Sequence, residues 1–321
     1  MPPRSPLPQR HGLNAAWLRT PDRDVRVRTP SGILGAAPGD ASTMGEWLRG
    51  RLPAVVDVAG MLGDERFVYD DLRPVRESDP YLPHTFVWFH RDLRHEPDVP
   101  GELYVVYRDE RLVVVDKPAF LSTIPRGRHV RQSVVVRLRD ELGLPELSPL
   151  HRLDRVTSGL LMLATERRWR GPHQVLFEHG QVHKTYRALA PWREDLELPR
   201  TVRNHLRKVR GVMQGEVIEG APVNAVTEIE MEERIGDQAA YRLTPRTGRT
   251  HQLRLHLHGL GIPIADDPLY PVVRETPIDD FTRPLQLLAG ELSFTDPIDG
   301  TPRSFHTVRR LPLLPTAPDG G

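Results

Sequence analysis

The amino-acid sequence predicts an α+β fold in which helices pack on a sheet, with a small module in front of the main domain. Three observations lead to this prediction. The chain has 321 residues, enough for one large or two moderate domains. From residue 103 onward, short apolar strand candidates follow one another, and segments with helical spacing lie between them. Residues 225–231 alternate apolar and acidic side chains, as half-solvated antiparallel strands do.

The N-terminal part is predicted to hold a flexible extension and a small, irregular module. Residues 1–43 are rich in proline, glycine and arginine and show little periodicity, which is typical of mobile segments. Residues 44–98 contain one short helix candidate, 45–51, and one strand candidate, 84–92. The first residues lack the apolar core of a secretory signal, and no run of about 18 apolar residues predicts a membrane span.

The main domain is predicted to span residues 99–312, followed by a flexible tail at 313–321. Its strand candidates, where apolar residues cluster or alternate, are 103–107, 112–116, 160–164, 183–190 and 225–231. Its helix candidates are 132–142, which ends before the capping residue Gly143, then 173–179 and 250–260. The last of these also fits a strand, but the glycines that close the run favour a helix.

The composition and several incomplete motifs exclude other classes of site. The chain has no cysteine, which excludes disulfides and cysteine chemistry and predicts a reducing compartment, the cytoplasm. His251, His256 and His258 lie close together, but no acid accompanies them in a zinc-enzyme spacing, so no metal site is predicted. HRDL at 90–93 lacks the other motifs of a kinase, and GLG at 259–261 lacks the third glycine of a dinucleotide fingerprint.

The distribution of basic residues indicates a polyanionic partner. The net charge is only +1, and only three of the 44 basic residues are lysines, a usage that GC-rich coding also produces. Residues 200–210 carry five cations and no acid, and residues 238–265 contain no acid at all. Such stretches suit RNA, although acids elsewhere in the fold could balance them. We assign Arg203, Arg207 and Lys208 to RNA binding.

Residues 149–164, PLHRLDRVTSGLLMLA, place an isolated acid, Asp154, at a turn that leads into an apolar strand. An aspartate at a turn most often caps a helix or closes the turn. Here the neighbours favour a functional role, because residues 151–159 resemble the signature HRLDxxTSG of the RluA-type family of RNA pseudouridine synthases at each defined position. Three more blocks resemble family motifs in the family's order: VVVDKPAFLSTIP at 113–125, KTY at 184–186 and GRTHQLR at 248–254.

This resemblance covers about residues 103–310 and implies the pseudouridine synthase fold, with a mixed, mainly antiparallel central sheet flanked by helices. The chain departs from the family at Phe120, Asp266 and Leu288, where the family usually has Gly, Gly and His. These departures concern loop geometry and substrate fit rather than the reaction. Because the family often carries an N-terminal S4 RNA-binding module, an S4-like module is a hypothesis for residues 44–98.

The resemblance implies that uridines in structured RNA, ribosomal or transfer RNA, are converted to pseudouridine. The bond from ribose C1′ to N1 of the base breaks and C1′ joins C5, with no redox change, so no cofactor is expected. Asp154 is the expected catalytic carboxylate, acting as a nucleophile or as a base for the ribose 2′ proton. Arg254 is its expected cationic partner. Tyr186 is expected to pack on the target base, and its hydroxyl to help remove the C5 proton.

The other candidate site residues are predicted to hold the RNA. Arg152 is expected to fill the gap left when the uridine swings out of its stack, or else to contact a phosphate. Arg249 and His251 are expected to border the RNA groove, and Lys117 to support the site from the opposite side. Two alternatives stay open: an RNA-binding protein or chaperone without turnover, and a glycosidase. The glycosidase would need a second carboxylate near Arg254, where the acid-free stretch offers none. A monomer is expected.

Overall fold

The chain forms two compact units, Met1–Arg94 and His95–Gly321, in a computed structural model that describes residues 4–22, 41–93 and 95–312. Residues 1–3 and 23–40 of the predicted extension, and the whole predicted tail at 313–321, lie outside the described residues. Within the described ranges, none of the helices has the length and apolar character needed to cross a bilayer.

The N-terminal unit contains two short helices and a two-stranded sheet. Its elements are β1 (Ala16–Arg19), α1 (Met44–Arg51), α2 (Val58–Gly63) and β2 (Phe86–Phe89). Helix α1 matches the predicted helix and begins with a capping box, in which Thr43 and Glu46 each accept the other's backbone N–H. β1 lies inside the predicted flexible extension and pairs antiparallel with β2, about seventy residues away. The S4-like role suggested for residues 44–98, which carry eleven acids and seven arginines, stays a prediction.

The second unit is built on one large sheet. Its elements are β3 (Tyr104–Arg108), β4 (Leu112–Lys117), α3 (Val134–Glu141), β5 (Ser148–Pro149), β6 (Ser158–Ala164), α4 (Arg167–Glu178), β7 (His183–Pro191), β8 (Arg200–Asn204), β9 (Leu206–Arg207), β10 (Glu216–Val217), β11 (Ala225–Ile235), β12 (Gln238–Pro245), α5 (Gln252–Gly259), β13 (Leu287–Thr295) and β14 (Pro302–His306). The ten-stranded sheet runs β3-β4-β6-β13-β7-β12-β11-β8, with β5 beside β6 and β14 beside β13. β6 and β13 run parallel and the other neighbours antiparallel, so the predicted α+β class is confirmed.

The central strands are apolar because the sheet is covered on both faces. Along β4, Val113 and Val115 point into a core shared with α3 and α5, whereas Leu112 and Val114 point into a core shared with α4. All seven residues of β6 are buried for the same reason. Alternation along the strand thus places helices on opposite sides of one sheet.

One ambiguous helix prediction is confirmed, and another predicted helix begins earlier than expected. The ambiguous segment at 250–260 is a helix, α5, as favoured from its closing glycines. Helix α4 begins at Arg167 rather than at 173, and it runs through Pro172. A proline inside a helix removes one backbone hydrogen bond and usually marks a boundary, so the predicted helix begins only after Pro172.

Two of the departures from the family occur where the backbone is left-handed. Phe120 has φ +66° and Asp266 has φ +58°, a region that glycine enters without strain. The backbone therefore keeps a conformation suited to glycine although a side chain is present. Phe120 is nevertheless buried and packs against Phe281, with ring centroids 5.4 Å apart.

Candidate active site

Asp154 lies in the turn between β5 and β6, and its neighbours fix that turn from several sides. The hydroxyl of Thr123 donates to the carbonyl of Leu153 at 2.8 Å and accepts its N–H at 3.2 Å. His151 accepts the backbone N–H of Met162 at its Nε2, 3.0 Å away, and burial lowers the pKa of His151 to about 3, consistent with a neutral acceptor. These hydrogen bonds hold the residues that precede Asp154 in place.

Glycine is required where the turn enters β6. Gly159 has φ +107°, and a Cβ at this position would collide with the backbone of Ala289 on the parallel strand β13. The last residue of the signature motif is thus fixed by the close approach of two strands.

Arg254, on α5, lies between two carboxylates. Its Nη1 donates to Asp154 Oδ2 at 3.1 Å, while its Nε and Nη2 donate to Asp267 Oδ2 and Oδ1 at 2.8 and 2.6 Å. Burial opposes its charge, but the hydrogen bonds and charges of the two aspartates outweigh burial and raise the pKa of Arg254. The structure therefore brings together Asp154 and Arg254, one hundred residues apart in sequence.

One oxygen of Asp154 stays available. The side chain is 33% exposed, whereas those of Arg254 and Asp267 are 2% and 0% exposed. Arg254 contacts Oδ2, and Nε2 of His251 lies 3.7 Å from the same oxygen. No polar contact reaches Oδ1 from the described part of the chain, so this oxygen can contact a ligand in the cavity.

Tyr186 lies on β7, in register with Leu243 on one side and Ala289 on the other, and it lines the same cavity as Asp154. Burial and the charge of Asp154 raise the pKa of Tyr186. Its hydroxyl is therefore protonated at neutral pH and can receive another proton only after losing its own. The aromatic ring can pack on a base whatever the state of the hydroxyl.

A cavity of about 660 Å³ connects these residues, within the range of small-molecule sites. Its described lining contains a single acid, Asp154, and seven arginines or lysines: Arg126, Arg152, Arg155, Lys184, Arg246, Arg249 and Arg254. A cavity with this charge attracts an anionic ligand, and Asp154 lies in its lining.

The candidate RNA-binding residues are distributed unevenly around this cavity. Arg152, Arg249 and His251 line it, and Nε of Arg249 donates to the carbonyl of Asn224 at 3.1 Å. Arg203, Arg207 and Lys208 lie on or beside β8 and β9 and do not line it. Arg207 is paired with Glu216 at 2.9 Å, and Lys208 donates to the backbone carbonyl of Val212. Their charges lie beside the cavity rather than in it.

The expected contact of Lys117 with the substrate groove needs correction. Lys117 is fully buried and does not line the cavity. Its Nζ donates to the carbonyls of Pro118, Leu121 and Arg155 at 3.0, 2.8 and 3.2 Å, and burial lowers its pKa to about 7. Lys117 therefore supports the backbone next to Asp154 from behind.

Asp267 was missed by reasoning from the sequence. The acid-free stretch predicted no second carboxylate near Arg254, and this prediction is wrong, because the turn after α5 returns Asp267 to that helix. The glycosidase alternative still lacks its water-activating acid. Asp267 is fully buried and its oxygens are occupied by Arg254 and by the N–H groups of Leu269 and Tyr270. The only sequence signal was its position in DDPLY, soon after the GRTHQLR block.

The three clustered histidines have different contacts. His251 Nδ1 lies 3.0 Å from the hydroxyl of Tyr270, and His256 Nε2 lies 2.9 Å from Oδ1 of Asn204. The ring of His258 packs near that of Tyr270, with centroids 5.8 Å apart. Two of the rings thus have separate polar partners rather than a common centre.

Comparison with known proteins places this geometry in a family. The family model described as RNA pseudouridylate synthase matches residues 111–259, which contain Asp154, Tyr186 and Arg254. The dual-specificity RNA pseudouridine synthase RluA of Haemophilus influenzae is 31% identical over 225 residues, which cover 67% of this chain and 96% of RluA. The chain belongs to the RluA-type family of RNA pseudouridine synthases.

Two longer members of the family also match. Human pseudouridylate synthase RPUSD2 is 35% identical over 219 residues, covering 66% of this chain and 38% of RPUSD2. RNA pseudouridine synthase 7 of Oryza sativa is 34% identical over 214 residues, covering 64% of this chain and 52% of that protein. The matched part of the chain thus spans about half, or less, of the length of these two relatives.

Proposed function

We propose that this protein is an RNA pseudouridine synthase that isomerises specific uridines in structured RNA. The observation that carries the proposal is the cavity in which Asp154 is the single described acid among seven cations, held at one oxygen by a buried arginine. Facing a phosphate polymer, such an acid would only weaken binding. An RNA-binding protein without turnover has no use for it, whereas a reaction at the anomeric carbon does.

The chemistry assigned to Asp154 balances without a cofactor. In one route Oδ1 bonds to ribose C1′ while the C1′–N1 bond breaks and its electron pair leaves with uracil. The base then turns, C5 attacks C1′ and displaces the carboxylate, the C5 proton leaves and N1 gains a proton. In the other route the carboxylate removes the proton from ribose C2′, and the electron pair forms a C1′=C2′ double bond while the C1′–N1 bond breaks. After the base turns, C1′ bonds to C5 and the carboxylate returns the proton to C2′; the C5 proton then leaves and N1 gains one. In both, Arg254 stabilises the carboxylate and Asp267 holds Arg254 in place.

The substrate class follows from the cavity lining. Arg152, Lys184 and Arg249 can neutralise phosphates next to the target uridine, and Tyr186 can stack on the base. We propose ribosomal or transfer RNA as the substrate; the names of the bacterial and plant relatives specify RNA without naming its type. We assign Lys184 to this set although sequence reasoning did not single it out as a site residue.

We further propose that the protein acts as a monomer in the cytoplasm. The monomer is supported by a site that draws Asp154, Tyr186 and Arg254 from one chain, and the compartment by the absence of cysteine from the sequence. Light scattering after gel filtration tests the first point, and the mass of a dimer would contradict it.

The function is tested with ribosomal and transfer RNA transcripts incubated with the wild type, Asp154→Asn and Asp266→Asn. Asp266 does not line this cavity, and its left-handed backbone suits asparagine, so it serves as the matched control. Carbodiimide mapping should detect pseudouridine with the wild type and the control but none with Asp154→Asn. Modified uridines with Asp154→Asn, or none with the wild type in either RNA, would overturn the proposal.

A further inference from the structure

The hydroxyl of Tyr270 connects a backbone amide with His251 at the edge of the active-site cavity. The N–H of Gly215 donates to this hydroxyl at 2.7 Å, and Nδ1 of His251 lies 3.0 Å away on its other side. Because the amide can only donate, the phenolic oxygen accepts there. Among the described residues, Nδ1 of His251 is the only remaining neighbour that can accept the hydroxyl proton.

This arrangement determines which ring nitrogen carries the proton. If Nδ1 of His251 were protonated, the oxygen of Tyr270 would accept twice and its own proton would have no acceptor, which is costly for a buried hydroxyl. With Nδ1 unprotonated, each donor has an acceptor, and the proton of the neutral ring is on Nε2. That nitrogen lies 3.7 Å from Asp154 Oδ2.

We infer that His251 is a neutral positioning residue whose Nε2–H is directed at Asp154, and that Tyr270 fixes this tautomer. The inference rests on the proposed function only for the reaction that the positioned carboxylate of Asp154 carries out. At 3.7 Å the N–H is too far for a hydrogen bond, so it acts through its dipole. Together with Arg254 it holds Oδ2 in place and leaves Oδ1 for the sugar.

The surroundings of His251 keep it neutral. The charged groups that act on the ring are Asp154, Arg254, Lys208 and Asp267. Burial lowers the pKa of His251, and the two cations act in the same direction, while the aspartates oppose them. The side chain is only 10% exposed, and its backbone is left-handed, with φ +58°, which sets the direction of its Cα–Cβ bond at the start of α5.

Tyr270→Phe tests the kinetic consequence. The variant keeps the ring that packs near Arg254, at 5.4 Å, and removes only the hydroxyl. Losing the preferred tautomer should lower kcat about five-fold, the equivalent of one neutral hydrogen bond, with KM for RNA unchanged. Tyr241→Phe is the matched control, because it also removes a buried hydroxyl, one that donates to Pro191 at 2.8 Å and does not line the cavity. Its kcat should stay at the wild-type value.

The tautomer itself is measured without RNA. In long-range ¹H–¹⁵N spectra of histidine-labelled protein at neutral pH, assigned with His251→Gln, we expect an unprotonated Nδ1 and a protonated Nε2. Tyr270→Phe should shift both signals towards a tautomer mixture, and Tyr241→Phe should not. A protonated Nδ1 in the wild type, or a Tyr270→Phe spectrum and kcat like the wild type, would overturn the inference. Absence of pseudouridine with the wild type would refute the proposed function and leave the tautomer assignment intact.

Discussion

The buried ion pair between Arg254 and Asp267 leads to a quantitative prediction for Asp267, an acid to which we assign no part in the reaction itself. Asp267→Asn preserves the shape of the side chain and removes its charge. In the wild type, Oδ1 accepts from Arg254 and from two backbone amides. If the amide oxygen of the introduced asparagine takes the place of Oδ1, the NH₂ group of that asparagine faces Nε of Arg254. Two donors then meet where a donor and an acceptor were 2.8 Å apart.

The expected cost is large because both side chains are inaccessible to water. Removing one partner of a buried ion pair costs ~3–5 kcal/mol, and we expect the lower end, ~3 kcal/mol, because Arg254 keeps Asp154 as a partner. The matched control is Glu228→Gln, which breaks the pair with Arg246 at 3.0 Å, where the side chains are 41% and 51% exposed. Exposed pairs of this kind contribute ~0–1 kcal/mol.

Urea unfolding followed by circular dichroism gives both free energies, and pseudouridine formation under native conditions gives the effect on catalysis. Because Arg254 loses the group that orients it, kcat should fall about ten-fold or more, which corresponds to a barrier increase of ~1.4 kcal/mol. If Asp267→Asn costs no more stability than Glu228→Gln and leaves kcat unchanged, Asp267 does not hold Arg254 in place.

Four further variants test the surroundings of the site. Lys117→Met leaves three backbone carbonyls without their donor and should lower the free energy of unfolding by ~3 kcal/mol. Burial lowers the pKa of Lys117 from 10.5 to about 7, so as pH rises the folded protein loses this proton before the unfolded chain does. The free energy of unfolding of the wild type should therefore increase relative to that of the variant above pH 7. A constant difference in unfolding free energy between pH 7 and 10 would contradict this. For RNA binding, Arg203→Ala and Lys208→Ala should each reduce the slope of log affinity against log salt by about 0.7–0.9. Arg207→Ala should reduce it less, because Glu216 already neutralises that guanidinium, and equal changes for all three variants would count against this distinction.

The sequence predicts features whose cause is local. The apolar runs of β4 and β6 and the helix α1 are recognisable because periodicity and capping act over a few residues. β1 was missed because its partner, β2, lies about seventy residues away. The start of α4 was missed because tertiary packing tolerates Pro172 inside the helix.

The same distinction applies to the site. Asp154 and Arg254 could be paired in advance because each lies in a motif block that resembles a known family. Asp267 and Tyr270 could not, because their roles depend on a turn that carries the chain back against α5. The burial of Lys117 could not be predicted either, since lysine is among the residues least often fully buried.

The central claim is that the free carboxylate oxygen of Asp154 carries out the reaction while the surrounding cations bind the RNA. It is tested most directly by tritium release from [5-³H]uridine-labelled transfer and ribosomal RNA under single-turnover conditions, with filter binding measured on the same samples. We predict that the wild type releases tritium, and that Asp154→Asn releases none while binding RNA within a few-fold of the wild type. Release by Asp154→Asn at the wild-type rate would contradict the account.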